Sequence, residues 1–154
     1  MAMNEPDYSR PLLRIDSAQL INEPPAANPA GVTVSYDVLF SAALVDVLVE
    51  IDRDYRFRLN AFEWLYSILT MVCVVGKGAS YTIDTGEGLG VTATRLDSGY
   101  RVTLTCGTIH RELDLTEAEL LLLLADLVHG TAESLRAAGV DVDRYVRCYP
   151  PALW

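Results

Sequence analysis

Two stretches of the chain repeat apolar residues with the period of an α-helix. The clearer one, residues 116–138, places leucines at positions i, i+3, i+4 and i+7, which gives a single apolar stripe. Thr116 and Glu119 have the spacing of a capping box at its start, and Gly139 is typical of a left-handed cap at its end. Gly130 lies inside this helix, where glycine lowers helix stability, and it predicts a weak point or bend.

A second helix is predicted over residues 60–75, with Asn60 and Glu63 in capping-box positions. Its apolar residues cover most of its circumference, whereas a surface helix carries them on one side only. We therefore expect this helix to be buried on more than one side, either by the core of its own chain or by a second copy of the chain.

Alternation of apolar and polar residues, which is typical of β-strands, fills most of the remaining chain. Strands are predicted at 12–23, 31–40, 45–52, 55–59, 79–84, 89–96, 100–106 and 109–113. Residues 31–52 read either as one long bent strand or as a hairpin. The pattern predicts an α+β fold: a largely antiparallel sheet of about five to seven strands, with both helices packed on one face. The opposite face of the sheet is expected to be polar.

The length of 154 residues fits one domain. We expect that domain over residues 11–148, with a flexible N-terminus over 1–10 and a C-terminal tail over 149–154. The first residues lack the basic and apolar regions of a secretory signal, and no apolar run reaches the roughly 18 residues of a membrane span. The sequence therefore predicts a cytoplasmic protein without a membrane segment.

The formal net charge of −9 limits the class of partner. A surface this acidic repels nucleic acid but attracts a basic protein. Three cysteines form an odd set without metal-ligand spacing, which argues against a disulfide framework and a zinc site. Lys77 is the only lysine among twelve basic residues, and this preference for arginine is typical of a GC-rich bacterial genome.

A row of carboxylates is the first candidate site. It consists of Asp46, Glu50, Asp52 and Asp54. Residues two apart on a strand share a face and lie about 7 Å apart, so such a row can bind an arginine-rich partner or a hard cation. The alternative is a solvated face with local ion pairs, because three arginines follow directly within residues 53–58.

Four aromatic residues form the second candidate, a ligand pocket between the sheet and the helix at 60–75. They are Trp64, Tyr66, Tyr81 and Tyr100. Large aromatic side chains line many small-molecule sites, but they are more often ordinary core residues.

No catalytic set is identified. Cys106 and His110 would share a face only if their strand were continuous, and Gly107 is expected to interrupt it. The glycine-rich stretches 76–80 and 86–90 stand in the wrong context for phosphate or dinucleotide binding and are interpreted as turns. We predict no catalytic residues, no metal and no cofactor.

Four segments together resemble a known kind of small bacterial domain. They are GVTVSYDVLF, FEWLYSILTMV, VTATRLDSGYRVTL and RELDLTEAELLLLLADL, within residues 31–139. In the order of these elements and in its acidity the chain resembles small uncharacterised bacterial domains and the immunity proteins of toxin–immunity systems. The resemblance implies a stoichiometric protein partner bound through an acidic face, and it transfers no functional residue.

The function expected from the sequence is a non-catalytic, acidic module that binds another protein and inhibits it in the manner of an immunity protein. The first alternative is a small-molecule-binding protein or small enzyme with a pocket beside Trp64. The second alternative is an obligate homodimeric scaffold that pairs through the helix at 60–75.

Overall fold

The computed structural model describes residues 13–21, 42–50 and 54–143, and for Asp54 its backbone alone. Within these ranges the chain forms seven strands and two longer helices. In chain order they are β1 (Leu13–Leu20), β2 (Ala43–Glu50), β3 (Asp54–Asn60), α1 (Ala61–Gly76), β4 (Tyr81–Asp84), β5 (Leu89–Leu96), β6 (Gly99–Cys106), β7 (Ile109–Leu115) and α2 (Glu117–Ala137). The predicted strand at 31–40 and both predicted termini lie outside the described residues.

The fold is α+β with antiparallel pairing throughout the described part, but the strands form two sheets where one was predicted. A three-stranded sheet has the order β1–β2–β3, and a four-stranded sheet has the order β4–β5–β6–β7. Helix α1 and the turn after it separate β3 from β4 along the chain, and these two strands do not pair. The expectation of both helices on one face of a single sheet is therefore wrong.

Helix α1 gives the physical reason for two sheets. Glu63 and Gly76 are its only exposed residues, so the helix needs cover on more than one side, as its sequence predicts. A single sheet covers one side of a helix. In the structure α1 contacts β2 and β3 of one sheet, β4 of the other, and α2. Elements of the same chain therefore cover α1, and its burial requires no second copy.

Helix α2 matches its predicted ends. The Thr116 side chain accepts a hydrogen bond from the Glu119 N–H, and the Glu119 carboxylate accepts one from the Thr116 N–H, so the predicted capping box is confirmed. Gly139 takes the left-handed conformation, with φ of 92°, just beyond the helix end. None of the described helices has the length and apolarity to cross a membrane.

Gly130 lies where α2 crosses β1, and the helix continues through it without a break. A Cβ atom at this position would lie 3.2 Å from Cγ1 and 3.3 Å from Cβ of Ile15. The glycine therefore permits close packing of helix on strand.

The capping box predicted for α1 is wrong. Asn60 precedes the helix but makes no side-chain cap hydrogen bond. Instead, its Nδ2 donates to Glu63 Oε2 over 3.4 Å. This contact holds the Glu63 carboxylate beside the end of β3.

Candidate functional site

The first two members of the predicted carboxylate row lie on the outward face of β2. Asp46 is opposite Arg58 in the β2–β3 register, and its neighbours Val45 and Val47 point into the core. Although Asp46 faces outward, it is only 7% exposed. Its carboxylate is therefore not an open docking group.

Two arginines of β3 bind the Asp46 carboxylate and account for its low exposure and its lowered pKa. Arg58 Nε donates to Asp46 Oδ1 over 3.1 Å, and Arg56 Nη1 donates to Asp46 Oδ2 over 3.0 Å. Arg56 also pairs with Asp16 of β1 at 3.1 Å, so the three strands are joined across their outward face. The hydrogen bond from Arg58 is the main reason why the pKa of Asp46 lies below its ordinary value, and Arg56 adds to the effect.

The other three carboxylates of the predicted row are less fully described than Asp46. Glu50 is half-buried, with an oxygen 3.8 Å from Arg14 Nη1. Asp54 begins β3 opposite Glu50, and Asp52 lies outside the described residues. For Asp46 the structure thus favours the alternative of local ion pairs.

The four predicted pocket aromatics do not surround one site. Tyr100 is fully buried, and its hydroxyl lies 3.2 Å from the Val75 carbonyl and 3.1 Å from the Ala79 carbonyl, where it can donate to either. It thereby joins β6 to the end of α1. Tyr66 and Tyr81 are half-buried and pack against the core. Trp64 alone among the four lines a cavity that the structure reveals.

That cavity, here called the cleft, lies between the start of α1 and the turn that follows β4. Its volume is about 280 Å³. It is lined by Leu44, Arg58, Leu59, Asn60, Glu63, Trp64, Ser67, Ile83, Asp84, Thr85 and Glu87. Leu59, Trp64 and Ile83 are buried, whereas the charged lining residues are exposed, so the cleft joins an apolar interior to a charged mouth.

Three exposed carboxylates, here called the acidic rim, line the mouth: Glu63, Asp84 and Glu87. Asp84 Oδ1 accepts a hydrogen bond from the Gly86 N–H over 3.0 Å, and Glu63 accepts the weak bond from Asn60. Within the described part of the chain, none of the three pairs with an arginine or lysine. Arg58 also lines the cleft, but its Nε is already bonded to Asp46. In the described ranges the rim is therefore a concentration of carboxylates that form no ion pair.

Local folding positions each member of the rim. The first turn of α1 carries Glu63, and the carboxylate there complements the helix dipole. Asp84 ends β4, and the turn after it is held by Thr85, whose hydroxyl donates to the Leu89 carbonyl and accepts from the Glu87 N–H. Because α1 contacts β4, these two segments meet at one place.

The acidic rim is not among the sites predicted from the sequence. The sequence pattern indicates a capping residue at Glu63, a strand end at Asp84 and a turn at Glu87. The three residues are separated along the chain. The apolar periodicity within each segment does not show that the start of this helix packs beside a hairpin turn. Trp64 was the one available signal, since a pocket beside its helix was among the predictions.

The structure does not bring Cys106 and His110 together. Gly107, with φ of 63°, forms the tight turn between β6 and β7, as the predicted interruption requires. In the register of this hairpin Cys106 is opposite Ile109, and His110 is opposite Thr105. Cys106 faces the core and His110 is exposed on the other side. Among the residues that the structure describes, no group of three or more metal-ligating side chains is placed to hold an ion.

Comparison of the chain with known proteins yields no matching family model, no matching curated protein and no matching solved structure. The function proposed below therefore depends on the geometry and charge of the molecule itself.

Proposed function

We propose that the protein is a cytoplasmic, non-catalytic binding module that holds another protein through a basic patch on that partner. In the manner of the immunity proteins that the sequence resembles, this binding inhibits the partner. The observation that carries the proposal is the acidic rim, where Glu63, Asp84 and Glu87 line one cleft and, among the residues that the structure describes, form no ion pair with an arginine or lysine. The net charge of −9 adds a long-range attraction for a basic surface.

The proposed contact differs from the one predicted from the sequence. Asp46 contributes to the integrity of the three-stranded sheet, because Arg56 and Arg58 already bind its carboxylate. Replacing these internal partners with an external arginine would exchange one ion pair for another with little gain. Within the described part of the chain the carboxylates of the rim have no such internal partner, so a basic residue that reaches them would form new ion pairs.

Affinity capture from the source cells tests the proposal, with three forms of the protein as bait. Besides the wild type, these are the double variant Glu63→Lys with Glu87→Lys and the single variant Asp97→Lys. Asp97 is a matched control, since its turn lies at the other end of β5, about 23 Å from the Leu89 end by strand geometry.

We expect one protein to bind the wild type and Asp97→Lys in stoichiometric amount and to be lost from the double variant. Raising the salt concentration should weaken the complex, because exposed charges are screened within about 10 Å at 0.1 M. A partner retained equally by all three forms, or no stoichiometric partner at all, would refute the proposal.

The cleft also favours a second candidate function, the binding of a small molecule beside Trp64. A volume of about 280 Å³ is close to the lower limit of known ligand sites. A thermal-shift screen of small cations against the wild type and Glu63→Lys/Glu87→Lys distinguishes the two functions. A compound that stabilises only the wild type, in a protein that captures no partner, would favour the second candidate.

A further inference from the structure

Strand β7 forms an outer edge of the four-stranded sheet, and among the described residues no strand pairs with its free side. All seven of its residues, Ile109–Leu115, stay in register with β6, without a bulge or a proline. Such a strand offers a row of main-chain N–H and C=O groups on which a strand of another molecule can form. An edge of this kind leads to association between copies unless a feature of the strand prevents it.

The other three outer strands carry features that hinder such pairing. The register of β1 shifts between Ile15 and Ser17, as it does at a β-bulge, and β4 has only four residues. Strand β3 carries Arg56 and Arg58. Bulges, short length and charged side chains are the usual means by which natural proteins protect sheet edges. Strand β7 has neither the bulge nor the short length, so its protection must come from its side chains.

Arg111 is the charged residue of β7 that lies on the core side of the sheet. It is opposite Leu104 in the β6–β7 register, and Leu104 is only 1% exposed. Its neighbours on the same side of β7, Ile109 and Leu113, are apolar. The other polar residues of the strand alternate with these positions, lie on the outward side and are exposed, so a strand added at this edge would leave them in water.

Ion pairing does not account for an arginine at this position. Arg101 of β6, on the outward side, pairs with Asp114 at 2.9 Å, whereas Arg111 forms no ion pair within the described ranges. Arg111 is half-buried, and a long side chain at an edge can cover apolar surface with its stem while its guanidinium stays in water. The guanidinium cannot lose its charge. A strand paired alongside would therefore cover a cation that no described acid neutralises, which is costly.

We propose that Arg111 prevents a second copy of this chain from pairing with the edge of β7, because its charge stays in water only while that edge is unpaired. The net charge of −9 also repels a second copy. Salt screens that repulsion between exposed charges, but it does little to reduce the cost of covering an unpaired cation. The inference concerns association of the protein with itself and is independent of the proposed binding function.

Sedimentation of purified variants over a range of protein concentrations tests the inference. Arg111→Val removes the charge and introduces a residue that favours strands. Arg101→Val is the matched control, since it makes the same substitution in the same sheet, on a strand whose two edges are already paired. Arg111→Lys keeps a positive charge at the position, and Arg111→Glu keeps a charge of opposite sign. Measurements at about 0.15 M and about 0.5 M salt separate the effect of net charge from that of the single residue.

We expect Arg111→Val to associate with itself at least about tenfold more tightly than the wild type, and the difference should persist at the higher salt concentration. The two variants that keep a charge at position 111, and Arg101→Val, should behave like the wild type. Hydrogen exchange should locate the new contact, because main-chain amides of β7 become bonded to the second copy. These amides should exchange more slowly in concentrated Arg111→Val than in the wild type, whereas those of α2 should be unchanged.

Self-association of Arg111→Val no stronger than that of the wild type would overturn the inference, and so would association that leaves the β7 amides unprotected. Equal association of Arg101→Val would show that added apolar surface alone is responsible, which also refutes the role of Arg111. If Arg111→Val fails to fold, Arg111→Thr takes its place under the same criteria, since it removes the charge and also suits a strand. The capture experiment is independent of these outcomes, because no residue of β7 lines the cleft.

Discussion

The molecule contains two groups of carboxylates with opposite electrostatic surroundings. Asp46 lies among residues close to it in sequence and is bonded to Arg56 and Arg58, which leaves it 7% exposed. The acidic rim collects Glu63, Asp84 and Glu87 from a helix start and a hairpin turn, and they remain exposed without an ion pair in the described structure.

Asp46 and the acidic rim differ in whether nearby segments of the chain supply arginines to balance their negative charge. Asp46 pairs with the next strand of a hairpin, so the same local segment supplies both the acid and the base. The segments that meet at the cleft supply three acids and only Arg58, which Asp46 already engages. We infer that Asp46 stabilises the fold, whereas the rim carries charge for an external partner.

Removing the Asp46 carboxylate should give the largest effect on stability. Asp46→Ala leaves Arg56 and Arg58 close together without their shared acceptor, and we expect the free energy of unfolding to fall by about 2 kcal/mol, as for hydrogen bonds to charged groups. Urea denaturation measures this value, and Asp97→Ala, which lies in an exposed turn, provides the control. Equal stability of the two variants would show that the Asp46 ion pairs contribute nothing measurable.

Lowering the pH should gradually remove the stabilisation that the Asp46 ion pairs provide. Because the pKa of Asp46 is lowered in the folded state, chiefly by the hydrogen bond from Arg58, the unfolded chain takes up the proton more readily. The stabilisation is therefore present above the ordinary aspartate value of about 3.9 and is lost as the pH falls through the lower folded value.

Urea denaturation of the wild type and Asp46→Asn at several pH values between 7 and 2 measures this effect. The difference in unfolding free energy between them should be constant near neutrality and shrink below about pH 4. A difference in unfolding free energy that grows on acidification would contradict the conclusion that the ionised Asp46 carboxylate stabilises the fold.

The rim should show the smallest effect on stability. Glu63→Gln combined with Glu87→Gln removes two exposed charges that have no ion-pair partner among the described residues, so the free energy of unfolding should change by no more than about 0.5 kcal/mol. The same double variant should nevertheless impair partner capture. A loss of more than about 1 kcal/mol would assign the rim a structural role and remove the contrast with Asp46.

Patterns of local periodicity predicted most of the described secondary structure. Thr116, Glu119 and Gly139 marked the ends of α2 because capping is decided within one helical turn. The hairpins from β4 to β7 were predicted for the same reason, since alternation and turn residues lie within a few positions of each other.

What the sequence did not predict depends on contacts between distant segments. The division into two sheets follows from how α1 is covered, and alternation within a strand carries no information about which sheet the strand joins. The burial of Asp46 depends on the conformations that Arg56 and Arg58 adopt across a strand pair. The cleft arises where β4 lies beside α1, and neither segment signals that neighbour in its own residues.

Gly130 shows two physical requirements in conflict at one position. In an isolated helix alanine would be preferred here by roughly 1 kcal/mol. In the protein the added methyl group would press on Ile15 of β1, which would have to retreat by a few tenths of an ångström. At this crossing the helix and the strand approach so closely that only a hydrogen atom fits in place of a side chain, and the sign of the stability change in Gly130→Ala would reveal how rigidly Ile15 is held.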